Sequence, residues 1–416
     1  MAAPLEVSVL NDGITTGTTG GITYIPPGPF ARRRTFLAFS PPCVGEEEID
    51  EVVDTLRSDW ITTGPKTRQF ASDFARYLHA PDALPLNSCT AGLHTALVTL
   101  GIGPGDEVIT TPMTFAASVN VIEHVGAHPV LADVEPDTLN IDPAAVERAI
   151  TPRTKAIIAV HYAGHPAELD PLRELAHAHN LMLIEDAAHA LPASYRGRPI
   201  GSGANPVAFS FYATKNLTTG EGGMLTGDPA FIERARIVGL HGMSRDAWKR
   251  YSKGGSWKYE VLMPGFKYNM TDIQAALGIW QLRKLEYFQQ RRREIVRAYT
   301  LAFAGISALE VPRARLHVEH AWHLYVLRLH HGALRIGRDQ FIDELTERNI
   351  GTSVHFIPIH LHPYYRDKYG FTPQSFPVAY DSYERMLSLP LNPRMDDQDV
   401  ADVIDAVLSV VRAHRR

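Results

Sequence analysis

Six short apolar runs, each closed by polar residues or glycine, constrain this chain more than any other feature. They are Glu107–Thr111, Pro129–Val134, Ala156–His161, Leu181–Glu185, Val207–Tyr212 and Gly223–Thr226. Among them lie stretches such as Ala91–Leu100 and Pro171–His179, whose apolar residues recur at three- and four-residue steps. Near-continuous apolar strands must be covered on both faces, and amphipathic helices between them supply that cover. The pattern predicts an α/β fold, a three-layer large domain built on a mostly parallel sheet.

At 416 residues the chain is too long for one compact core. From about Asp272 a long helix, Ile273–Ala298, leads away from the strand-rich region. Strand-like His320–Leu329 and helices at Arg338–Arg348 and Asp397–Arg412 read as a smaller α+β C-terminal domain. The expected division is an extension at 1–36, a large domain at 37–280 and a small one at 281–416. Residues 37–60, with a helix at Glu46–Ser58, are expected to pack on the small domain. The extension is rich in Thr and Gly and then in Pro, a composition that stays loosely ordered unless it docks.

A formal charge of -5 argues against a nucleic-acid partner, whose phosphates call for a basic face. Two cysteines, Cys43 and Cys89, make no disulfide framework and suit a reducing compartment. Neither a secretory pattern nor an apolar stretch of membrane-spanning length is present, so the cytoplasm is the expected location.

In open parallel sheets ligands gather at the carboxyl ends of the strands. There, Leu181–Ile184 runs into Glu185-Asp186-Ala187-Ala188-His189, and Val207–Tyr212 runs into Ala213-Thr214-Lys215-Asn216. A carboxylate and a lysine thus leave neighbouring apolar strands at one edge, and each needs a partner if buried. They can form a structural ion pair. Pyridoxal phosphate calls for the same two residue types, an amine that bonds its aldehyde and a carboxylate that keeps its ring nitrogen protonated. Asn87-Ser88-Cys89-Thr90-Ala91-Gly92 opens a helix with small residues, where unpaired amides receive an anion such as a phosphate. Ser210 offers a further hydroxyl, Phe115 a ring to stack on a pyridine, and His189 a donor to a phenolic oxygen. Each of these three has an ordinary structural reading as well.

These residues lie in longer passages that resemble the DegT/DnrJ/EryC1/StrS sugar aminotransferases, of aspartate-aminotransferase-like fold type I. The passages include Trp60-Ile61-Thr62-Thr63-Gly64-Pro65, Thr90-Ala91-Gly92, Glu185–His189, Phe209–Leu217, Glu221-Gly222-Gly223, Gly265–Asn269 and His320–Leu324. They run in order from about Phe39 to the C-terminus. Within the family, His189 and the segment from His241 through Trp248 look nearest to members that form UDP-4-amino-4-deoxy-L-arabinose. The resemblance implies that Lys215 bonds the cofactor and Asp186 faces its ring nitrogen. It likewise implies that His189 meets the ring oxygen, Thr90, Ala91 and Ser210 hold the phosphate, and Phe115 covers the ring. Asn269 is implied to reach the phosphate of a second subunit, making a homodimer with shared active sites. Trp60, His355 and His360 are implied contacts to a nucleotide-sugar substrate. The implied reaction is ping-pong, with glutamate loading pyridoxamine phosphate, which then aminates a UDP- or dTDP-linked 4-keto sugar. A keto-cyclitol or other small ketone, or a non-catalytic regulator, stand as alternatives.

Relatives that act as dehydratases carry histidine at the lysine position, and Lys215 disfavours that chemistry here. No GxGxxG follows a strand, so a nicotinamide site is not indicated. His317, His320 and His323 step by three along an apparent strand, so the three do not all share one face and no metal is expected.

Overall fold

The computed structural model describes residues 33–244 and 258–416. The expected extension lies almost wholly outside the described residues, as does the end of the His241–Trp248 segment. In chain order, α1 (Glu46–Arg57) and α2 (Pro65–Leu78) lead to β1 (Asp82–Leu86), α3 (Cys89–Thr99), β2 (Glu107–Thr110), α4 (Ala117–His124) and β3 (His128–Leu131). Next come α5 (Pro143–Ala149), β4 (Thr154–Val160), α6 (Leu169–His179) and β5 (Met182–Asp186). A short hairpin, β6 (Ser194–Tyr195) and β7 (Arg198–Pro199), precedes β8 (Val207–Ser210), β9 (Gly223–Gly227) and α7 (Pro229–Val238).

The seven-stranded sheet has the order β1-β9-β8-β5-β4-β2-β3. Every neighbouring pair is parallel except those made by β9, which runs antiparallel to both β1 and β8. No helix separates β8 from β9, and a direct loop of this kind can only bring the chain back antiparallel. Strand β1 is missing from the apolar runs because Pro85 interrupts it. Proline is tolerated there because β1 is an edge strand, where a lost amide breaks no central ladder.

The 32-residue helix α8 (Asp272–Phe303) starts at a capping box between Thr271 and Gln274. Its first half (Ile279, Leu282, Leu285) enters the core under the large sheet. Its second half (Ile295, Val296, Tyr299, Phe303) enters a separate core, so the division expected at 280/281 falls inside one continuous helix. That second core covers a three-stranded antiparallel sheet of β10 (Leu309–Glu310), β12 (Tyr325–Leu329) and β13 (Met386–Leu389), while β11 (Val318–Glu319) pairs with β6. Helices α9 (Arg338–Glu347), α10 (Pro363–Tyr369), α11 (Pro377–Arg385) and α12 (Asp397–His414) complete the chain. Leu37 bridges to Ile350 within the second core, whereas α1 hydrogen-bonds the first half of α8 through Glu48 and Gln281 (2.8 Å).

The strand expected from His320 begins only at Tyr325. Before it, the amides of Ala321, His323 and Leu324 donate to carbonyls of Ala163 and Gly164, and no sheet ladder forms. The fully buried Arg292 fixes the same segment from the other side, donating to the carbonyls of Leu391 (2.8 Å), Trp322 and His323. A further apolar cluster (Met113, Val119, Tyr162 with Leu324, Val326, Ile359) binds the two units beside the ends of β4 and β5.

Candidate active site

Asp186 is the last residue of β5 and is 4% exposed. Ser118 Oγ donates to its Oδ2 (2.7 Å), the Ala188 amide donates to its Oδ1 (3.0 Å), and Cys89 Sγ lies 3.8 Å from Oδ1. Lys215 follows β8, the neighbour of β5, on a turn closed by its own amide donating to the Tyr212 carbonyl (2.9 Å). Burial pushes the Lys215 ammonium down to about 8, against the opposing pull of Cys89 and Asp186. Its amine thus senses the carboxylate without closing into an ion pair. Cys89 senses both, and burial holds its thiol protonated.

Neutral imidazoles line the other side. Burial, reinforced by the charge of Lys215, holds His189 and His323 well below the usual histidine range and His355 at about 4. The His189 and His323 rings lie 4.4 Å apart, and Phe356 stacks on His189 at 5.6 Å. His189 Nδ1 is buried without a partner. Asn216, next to Lys215, donates to the Ala321 carbonyl (2.8 Å) and therefore turns its oxygen to His323 Nδ1 (3.2 Å). His323 then carries its hydrogen on Nδ1.

The third wall is the start of α3. Ser88 caps the helix by accepting from the Ala91 amide (3.0 Å), which leaves the Cys89 and Thr90 amides without intrahelical acceptors. Ser210 pairs with Gly223 across β8 and β9, and a Cβ on Gly223 would lie 2.4 Å from the Ser88 carbonyl carbon. Only glycine lets that loop approach so closely, and the approach gathers Ser88, Thr90 and Ser210 at one edge. Orphan helix amides with hydroxyls suit a phosphate. An unpaired amine near a buried carboxylate, with His189 Nδ1 unpartnered within reach of the same amine's charge, suits the rest of a pyridoxal ring.

The model of the DegT/DnrJ/EryC1/StrS aminotransferase family matches residues 42–408. The chain belongs to the DegT/DnrJ/EryC1/StrS aminotransferases. It is 51% identical to the spore coat polysaccharide biosynthesis protein SpsC of Bacillus subtilis, covering 92% of this chain and 98% of that one. An uncharacterised protein of Methanocaldococcus jannaschii, MJ1066, is 55% identical over 92% of this chain and all of its own length. Among solved structures, the pyridoxamine-phosphate form of the putative sugar aminotransferase Spr1654 from Streptococcus pneumoniae aligns with a TM-score of 0.85. Its identity is 39%, over 91% of this chain and 99% of that one. PseC of Helicobacter pylori, an aminotransferase of pseudoaminic acid biosynthesis, aligns with a TM-score of 0.84 at 30% identity, over 91% and 100% of the two chains. The family is pyridoxal-phosphate-dependent, and this chain is a transaminase of fold type I.

The other residues expected at the site have the following surroundings in this aminotransferase. Ala91 has its amide engaged by Ser88 Oγ (3.0 Å). Phe115 is 64% exposed, its ring 6.0 Å from that of Phe356. Asn269 donates to Thr63 Oγ1 (2.6 Å) and accepts from Lys267 (2.6 Å), and with Trp60 it lines a cleft of about 900 Å³ between α2, β1 and α7. Trp60 donates to the Thr63 carbonyl (3.0 Å) and packs over Gly64, where a Cβ would lie 1.9 Å from its indole nitrogen. His355 stacks on Phe39 (5.3 Å), with Nδ1 2.9 Å from Ser388 Oγ. His360 is a correction: the turn Ile359–Leu361 buries it completely, against Phe376 (5.0 Å), and no surface is left to meet a substrate. His317, His320 and His323 disperse, to Glu168, to a stack on Trp322 and to Asn216. Among the described residues no cluster is arranged to hold a metal, and no helix is long and apolar enough to cross a membrane. Ser118 and Thr114 gave no sign in the sequence reading, and Asn216 appeared there only as the neighbour of Lys215, without a role.

The buried histidines fix how the enzyme responds to acid. Burial holds His165, His355 and His360 at about 4 in the folded chain, below the 6.5 that they return to on unfolding. Between those values the unfolded chain binds the extra protons, so stability is full above pH 6.5 and declines as pH falls through the window. Each group contributes a slope of about 1.4 kcal/mol per pH unit, about 4 for three together. Urea midpoints should drop steeply below about pH 6, and His360→Gln should remove one proton's worth of that slope. A midpoint unchanged from pH 7 to 5 would contradict the neutral assignment.

Proposed function

We propose that this enzyme transfers an amino group from glutamate to a nucleotide-linked keto sugar, a UDP- or dTDP-linked 4-keto sugar foremost. The observation that carries the reading is the amine of Lys215, half-buried, lowered to about 8 and unpaired, within the electrostatic reach of the clamped carboxylate of Asp186. When bound, pyridoxal phosphate supplies an aldehyde that captures an amine and a ring that withdraws electrons from that amine's α-carbon. Lys215 would hold the resting cofactor and, once displaced, would be suited by its lowered pKa to carry the proton between carbons. Asp186 would keep the ring nitrogen protonated. His189, its Nδ1 unpartnered, would bond the ring oxygen, while the Cys89 and Thr90 amides with Ser210 would hold the phosphate. His355 and Phe356 wall the side on which a sugar would enter.

The sugar class is supported by the relatives, named as sugar aminotransferases or as acting in polysaccharide and pseudoaminic acid synthesis. A homodimer with shared sites is supported by Trp60 and Asn269. Both line a cleft to which Lys215 and Asp186 do not contribute, as expected of residues offered to a neighbouring subunit.

The test is the half-reaction. Enzyme loaded with pyridoxamine phosphate is mixed with UDP-, dTDP- and GDP-linked keto sugars, and the return of the pyridoxal spectrum is followed. Conversion of one or more nucleotide-linked 4-keto sugars, with the amino product seen by mass spectrometry, is the expected result. Conversion of free keto-cyclitols alone, or of nothing in the panel while glutamate still loads the enzyme, would overturn the substrate class.

A further inference from the structure

We propose that Ser118, with its hydroxyl set by Thr114, is the positioning residue that aims the Asp186 carboxylate at the cofactor's ring nitrogen. The proposal rests on the reading of Asp186 given above. Ser118 and Thr114 are 1% and 2% exposed, so water does not compete for their hydroxyls. Ser118 has one hydrogen and three acceptors in range, Asp186 Oδ2 at 2.7 Å, Thr114 Oγ1 at 2.8 Å and the Phe115 carbonyl at 3.5 Å. The shortest contact, to the group that bears charge, takes it.

An ionised carboxylate only accepts, so the direction is fixed from Ser118 to Asp186. With its hydrogen committed, Ser118 can only accept from Thr114 Oγ1, 2.8 Å away. The order Thr114, Ser118, Asp186 is therefore a one-way chain of donors. On the other oxygen the Ala188 amide donates at 3.0 Å. One donor on each oxygen stops the carboxylate from turning about its Cβ–Cγ bond, a rotation that is otherwise soft. The plane of the group is thereby held before any cofactor arrives.

The location adds a second consequence. Ser118 lies in the first turn of α4, and Phe115 stands just before the N-cap residue Ala116 of that helix. The contact to Asp186 ties the turn that carries Phe115 to the end of β5. The residue expected over the face of the ring and the residue at its nitrogen are thus held by one linkage.

The full-length protein is made as Ser118→Ala, Ser118→Thr and Thr114→Val, beside Asp186→Asn as reference. The affinity of each cofactor-free protein for pyridoxal phosphate is titrated by visible absorbance, and the spectrum of bound cofactor is followed against pH. Ser118→Ala should bind about ten- to a hundredfold more weakly, the loss of one hydrogen bond to a charged group. Its kcat should fall with little change in KM for glutamate, and the pH midpoint of its bound-cofactor spectrum should move. Ser118→Thr, which keeps the hydroxyl, should restore both, and Thr114→Val should fall between. If Ser118→Ala does not fold, Thr114→Val, nearly equal in volume, decides. Parental affinity and spectrum in Ser118→Ala, or equal losses in Ser118→Ala and Ser118→Thr, would overturn the proposal. If Asp186→Asn were also unimpaired, the reading of Asp186 would fail; impairment of Asp186→Asn alone leaves that reading intact and removes only the role of Ser118.

Discussion

Replacing Lys215 with alanine is expected to remove amino transfer by at least about a thousandfold and to leave the fold intact, because proton transfer by a positioned group alone contributes 10²–10⁴. The amine has two tasks, to hold the cofactor and to carry a proton, and alanine performs neither. Its lowered pKa measures the preparation: with a value of about 8, about one amine in ten is neutral at pH 7, against about one in three thousand for an ordinary lysine. The turn around it does not depend on the side chain, since the bond to Tyr212 is made by the backbone amide. The amine is partly desolvated without a carboxylate in contact, so truncation relieves that cost and the melting temperature should hold or rise. Lys215→Arg should be equally inactive, because a guanidinium stays charged and makes no bond to an aldehyde. Single-turnover assays with glutamate, read beside circular dichroism, decide the matter. Transfer retained in Lys215→Ala would end the mechanism.

That lysine was legible in the sequence because β5 and β8 are buried on both faces. A continuous apolar run that stops at a charge announces itself, and two such runs side by side put Asp186 and Lys215 at one edge. Strand β1 was not legible because Pro85 breaks its pattern, and an edge position is needed to excuse it. His320–Leu324 misled in the opposite sense. It leads straight into the apolar run Tyr325–Leu329, yet three of its amides are taken by Ala163 and Gly164 in another part of the chain. His360 failed for a similar reason: five residues from His355 along the chain, it is turned inward by a single 3-10 turn. Ser118 could not be read at all. A serine in a short helix has no local mark that separates a buried donor from a solvated one. Only the packing of α4 against the end of β5 shows which it is.

The second large effect is expected at Asp186. Asparagine there preserves volume and shape, so the change isolates charge. Its amide also presents one oxygen where the carboxylate presents two. Ser118 and the Ala188 amide each donate to a different oxygen, so one of them loses its acceptor and faces a nitrogen instead. The ring nitrogen loses the anion that keeps it protonated, and the electron demand on the substrate carbon falls with it. Removing one partner of a buried charged pair costs about 3–5 kcal/mol. Spent on the transition state, that is a loss on the order of a hundred- to several-thousandfold in rate. Cofactor affinity should fall as well, so kcat is to be measured with pyridoxal phosphate in excess, where occupancy no longer contributes. A rate close to that of the parent under those conditions would mean that another group protonates the ring. The structure offers no such group: among the described residues that sense Lys215, the carboxylate is Asp186, and Cys89 is held neutral by burial.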